Sequence, residues 1–140
     1  MNRNVWATIV AGVAMAVVVI LGFRVLGGPG TQRLLRADSR TVQSLAELAR
    51  QINTKWGSDG KVLPKDLEKL PIAARRDAIT GKVYGYRAKS ENEYELCATF
   101  ATDNREGSEV QTADSWIHPK GDYCFLMDAA KPVPSPPYYY

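Results

Sequence analysis

Between Val5 and Phe23 the chain runs nineteen residues without a charge, and Thr8 is the only one with a polar side chain. Wound as a helix, that run is about 28 Å long, close to the roughly 30 Å of a bilayer's hydrocarbon layer. A cleaved signal sequence has a shorter apolar stretch, roughly 7–15 residues, and a small-x-small cleavage site. Here the run passes into Arg24-Val25-Leu26-Gly27-Gly28-Pro29-Gly30 with no Ala-x-Ala after it. A soluble core built from the remaining chain is too small to surround a helix that is apolar on every side. The expectation is an uncleaved membrane-spanning helix over residues 5–26, with a short tail, 1–4, before it and a hinge, 27–31, after it.

Within that helix Ala7, Ala11 and Ala14 recur at i+4 and i+3, and Thr8, Gly12 and Ala16 lie alongside at i+4. Small residues let a second helix approach closely, and lipid supplies no hydrophobic drive to bring helices together. Ala7, Thr8, Ala11, Gly12 and Ala16 are therefore the candidate helix-docking face; alanine is also simply common in such helices. Val17 to Leu21 is bulky and suits lipid.

The two sides of the span give opposite signals. Arg3 precedes it, whereas Arg33, Arg36 and Arg40 follow, an asymmetry that places the C-terminal side in the cytoplasm. Cys97 and Cys124 read instead as a disulfide in an oxidising compartment, and long domains translocate largely regardless of nearby charge. The expected location is a bacterial inner membrane with the C-terminal domain on the periplasmic, exterior side. Reduced, buried thiols are the alternative for a cytoplasmic domain.

The rest of the chain changes its hydrophobic period twice. From about Gln32 to Trp56 the apolar residues Leu35, Val42, Leu45, Ala49, Ile52 and Trp56 step by three, four or seven. That is the stripe of an amphipathic helix, with Arg36, Arg40, Gln43, Glu47, Arg50 and Lys55 opposite. Residues 61–70 predict a brief second helix, with Leu63, Leu67 and Leu70 on one side and Pro71 ending it. Alternation then takes over: Val83 to Tyr86 and Tyr94 to Phe100 as strands joined through Glu91-Asn92, and further strand material at Trp116-Ile117 and Tyr123 to Met127. Helices followed by strands give an α+β class: a membrane helix, an amphipathic helix on a small antiparallel sheet over 32–128, and an extended tail, 129–140.

Several stretches carry a resemblance. Leu63-Pro64 followed by Leu67 and Leu70 is similar to the segment after the long helix of type II secretion pseudopilins. Asp77-Ala78-Ile79-Thr80-Gly81-Lys82-Val83-Tyr84-Gly85-Tyr86 resembles their Asp-Pro-x-x-Gly-x-x-Tyr-x-Tyr pattern, with Ala78 in place of the proline. Tyr94 to Phe100, answered by Cys124-Phe125, resembles uncharacterised bacterial membrane-anchored domains. The resemblance to pseudopilins and type IV pilin-like proteins implies a pilin-like fold. Residues 1–9 hold no glycine and no glutamate, so the prepilin cleavage motif is missing. Calcium, bound by some major pseudopilins, is not implied, because no matching ligand run is present.

Motifs of catalysis are sparse. His118, the single histidine, has no triad partner in sequence. Glu91, Glu93 and Glu95 read as a solvated strand face, and Asp103, Glu106 and Glu109 lack EF-hand spacing. No haem, phosphate-loop or nucleophile-elbow motif occurs. Beyond residue 26, sixteen basic residues balance fifteen acidic ones, too even for nucleic-acid binding. No enzyme activity, cofactor or metal is expected.

The tail ends Pro136-Pro137-Tyr138-Tyr139-Tyr140. Stiff prolines before tyrosines suit contact with a partner, since both bind at low entropy cost; a disordered end is the plainer alternative. The function expected is a non-enzymatic accessory subunit of a larger membrane complex, photosynthetic or respiratory for example. Its partners would be other membrane-protein subunits and the bilayer. Alternatives are a pseudopilin-like component of a secretion or pilus system, and a small ligand- or calcium-binding sensory module.

Overall fold

The computed structural model describes residues 3–26, 29–77, 79–105 and 114–136. The chain divides into two compact units, residues 1–33 and 34–140. The first contains helix α1 (Arg3–Leu26), whose last turn carries Arg24, a cation suited to the negative end of the helix dipole. The segment Val5–Arg24 has a mean hydropathy of 2.5, and none of it is buried within the chain. At about 30 Å it is long and apolar enough to cross a membrane.

Helix α2 (Pro29–Ser58) starts three residues earlier than the stripe predicts. Pro29 fits the first turn, where no backbone donor is required. Val42, Leu45, Ala49 and Ile52 are buried as the spacing requires, with Leu48 beside them, while Arg36, Arg40, Gln43, Glu47 and Arg50 are exposed. Gly60, with φ 73°, reverses the chain, and the Lys61 N–H reaches back to the Trp56 carbonyl at 2.9 Å.

Residues 61–70 are not the short helix that the leucine spacing predicts. They form a series of turns, and Leu63, Leu67 and Leu70 are buried from them all the same. The six residues between Pro64 and Pro71 gain too few helical bonds to offset nucleation. Asp66 also diverts the Glu68 N–H into a local turn at 2.9 Å. The single helical turn, α3 (Ile72–Arg75), comes after Pro71 rather than before it.

Three antiparallel strands follow: β1 (Gly85–Ala88), β2 (Glu93–Phe100) and β3 (Gly121–Asp128), ordered β1-β2-β3. Val83 and Tyr84 stop short of the sheet; Val83 bridges to Arg76, and the Tyr84 N–H bonds the Arg75 carbonyl. Trp116 lies in a 3-10 turn (Asp114–Trp116), not in a strand. Its indole N–H needs an acceptor when buried, and the turn aims it at the Pro134 carbonyl, 3.1 Å away.

Tyr94, Leu96 and Phe100 from β2 and Phe125 and Met127 from β3 share one face of the sheet and meet the α2 stripe in a single core. The Tyr94 hydroxyl crosses that interface and donates to Asn53 at 2.7 Å. The architecture is therefore α+β, with an apolar N-terminal helix and a small three-stranded sheet.

Candidate functional site

The face of the sheet away from α2 carries the disulfide. Cys97 and Cys124 are opposed in the β2–β3 register with Cα atoms 4.0 Å apart, and their sulfurs are bonded. Gly85 of β1 faces Cys97 from the other side. A Cβ on Gly85 would stand 2.9 Å from the Cys97 Cβ, so glycine is what lets three strands meet on this rung. On the same face Glu95 pairs with Lys89 at 3.0 Å. Glu93 is exposed, and Glu91 lies outside β2 in the connection from β1. Asp103 pairs with its neighbour Arg105, whereas Glu106 and Glu109 lie outside the described residues. No cluster of metal-binding side chains occurs among the described residues.

β1 ends its pairing at Cys97, while β2 continues to Phe100. The space left beside Ala98 to Phe100 is a half-open cavity of about 480 Å3, lined also by Ala37, Asp38 and Thr41 of α2 and by residues between Asp77 and Gly85. Two buried aspartates brace its walls. Asp38, on α2, accepts the backbone N–H groups of Ala101 and Thr102 at 2.8 and 2.7 Å and the Thr102 hydroxyl at 2.5 Å. Asp77 accepts the Thr41 hydroxyl at 2.8 Å and the N–H groups of Ile79 and Thr80 at 2.8 and 2.6 Å. Burial alone would raise the Asp77 carboxyl, but bonds from Thr80, Thr41 and Ile79 outweigh it and hold the group below the usual carboxylate value. Tyr84 is buried between the two walls, and burial pushes its hydroxyl up to about 12 against the pull of Ser44.

His118 lies beneath this region, with its ring stacked on Phe100 at 3.7 Å between centroids. The His118 backbone N–H donates to the Asn104 side-chain oxygen at 2.6 Å, the Asn104 backbone N–H returns a bond to the His118 carbonyl at 3.1 Å, and the ring Nδ1 is 3.2 Å from the Pro119 carbonyl. Burial lowers the imidazole below its ordinary value, although the Pro119 carbonyl, Asp38 and Asp103 pull it back.

The residues singled out on α1, Ala7, Thr8, Ala11, Gly12 and Ala16, are all exposed. In the tail, the Asn53 side-chain amide donates to the Lys131 carbonyl at 3.0 Å and Val133 packs against the core. Pro136 is buried, whereas Pro137, Tyr138, Tyr139 and Tyr140 lie outside the described residues. The aspartate braces were not read from sequence. Asp38 had a signal: it lies three residues after Leu35 and four before Val42, a carboxylate within an apolar stripe.

In comparisons with known proteins no family model matches this chain, and no curated protein or solved structure resembles it.

Proposed function

We propose that this chain is a non-catalytic, single-pass membrane subunit that docks in a larger membrane assembly and presents residues 34–140 as a recognition domain. The observation carrying this reading is α1: twenty consecutive residues of mean hydropathy 2.5, none of which is buried within the chain. Such a helix requires lipid, other helices, or both as its surroundings. The strip from Ala7 through Ala16 is the side on which a partner helix would seat. The disulfide favours the periplasmic side of a bacterial inner membrane, because such bonds persist in oxidising compartments. Asp38, Asp77, Asn104 and His118 are each engaged in bonds that brace the domain, which favours recognition over catalysis.

Mild detergent extraction followed by affinity purification and quantitative mass spectrometry tests the proposal. Co-purification with one set of membrane proteins at fixed stoichiometry is the expected result, weakened by Ala11→Leu and Gly12→Leu. Recovery of the chain alone, in membranes that contain its neighbours, would overturn it.

A pilin-like role is a second reading, favoured by one observation: a long helix laid across a three-stranded antiparallel sheet through one core. Recovery of the chain in sheared surface filaments would support it, and its confinement to the membrane fraction would count against it.

A further inference from the structure

We infer that the first exposed turns of α2 bind the phosphate headgroups of anionic phospholipids. Arg36 and Arg40 stand at i and i+4 on one exposed face of the helix, and Arg33 continues the same sequence spacing by three. None of the three guanidinium groups takes part in a hydrogen bond or ion pair with a described residue. The nearest carboxylate in sequence, Asp38, is buried and saturated by Ala101 and Thr102. Further along, Glu47 is held by Arg50 at 2.8 Å. The arginine face is thus charged without internal compensation.

The covalent chain limits what this face can meet. Three peptide steps separate Leu26 from Pro29 and reach at most about 11 Å. Seven helical residues from Pro29 to Arg36 add about 10 Å. Arg36 is therefore tethered within roughly 21 Å of the end of the apolar segment, before its own side chain is counted. A headgroup layer some 5–8 Å deep and a screening length of about 8 Å occupy much of that distance. Guanidinium groups bind phosphate oxygens in a two-pronged fashion, and basic residues next to a span are drawn to anionic lipid. An interface with another protein would be expected to place apolar or aromatic residues at its centre, and Arg36, Arg40 and Gln43 supply none.

The inference rests on the membrane anchor proposed above. The test uses the full chain in mild detergent, with native mass spectrometry measuring retention of phosphatidylglycerol against phosphatidylcholine of the same acyl chains. The wild type should favour phosphatidylglycerol, an advantage that shrinks as salt rises. R33Q/R36Q/R40Q should lose it by roughly fivefold for each arginine removed, whereas K61Q/K65Q/K69Q, with the same charge change elsewhere, should keep it. Equal retention of both lipids, insensitivity to salt, or an equal loss in the lysine variant would overturn the inference. So would loss of a co-purifying protein with lipid retention unchanged, which would assign the face to an acidic partner. Release of the chain from membranes by alkaline carbonate would instead defeat the anchor, and a retained chain without lipid preference defeats only the arginine site.

Discussion

At the scale of single residues, two positions make sharp demands. Gly85 has no room for a side chain because the Cys97 Cβ would stand 2.9 Å from its own. Gly85→Ala must displace backbone rather than a flexible side chain, so a loss of about 1–3 kcal/mol is expected in chemical denaturation. His118 makes a demand on pH. Its folded-state value lies below the ordinary 6.5, so on acidification the unfolded chain takes up the proton first. Stability is then complete above about 6.5 and erodes as pH falls below it towards the folded value. Thermal melts from pH 7.5 to 5 should show this decline, and His118→Phe, which can keep the stack on Phe100, should flatten it. Asp77 acts in a separate, more acid window: its folded value is depressed, so its contribution is present above 3.8 and is lost as pH falls through that lower value.

At the scale of elements, the disulfide joins positions separated by 27 residues in a domain with a modest core. The chain-entropy model gives it about 3–4 kcal/mol, so C97A/C124A should lower the denaturation free energy by that order and leave the far-ultraviolet spectrum of the folded state unchanged. The same elements explain how far the sequence could be read. The α2 stripe was legible because Val42, Leu45, Ala49 and Ile52 repeat over several turns, long enough for period to decide. β2 and β3 were legible because Tyr94, Leu96 and Phe100, and Tyr123, Phe125 and Met127, alternate without interruption. Residues 61–70 misled because buried leucines three and four apart also arise from successive turns packed on a helix. Trp116 misled because a buried aromatic beside Ile117 carries no mark of the single bond, to Pro134, that orients it. The cavity was not legible at all. It exists because β1 stops pairing at Cys97 while β2 continues, a difference set by the path of 76–84 and not by any local pattern.

At the scale of the whole molecule, the buried core runs from Val42 to Ala129 and draws on no described residue of the first unit. A chain beginning at Leu34 should therefore be soluble without detergent and should melt within a few degrees of the full-length protein. Circular dichroism on both forms checks this, and aggregation or loss of the cooperative transition in the shorter form would contradict it. Since Asn53 and Trp116 bond the carbonyls of Lys131 and Pro134, the segment after β3 belongs to that folding unit.

The pairing of Cys97 with Cys124 constrains movement as well as stability. A strand slipped by one residue turns every side chain over, which here would carry Tyr94, Leu96 and Phe100 out of the core. With the two sulfurs joined, β2 and β3 resemble planks held by a bolt: they can twist about it, but neither can slide past the other when a neighbour pulls along the strands.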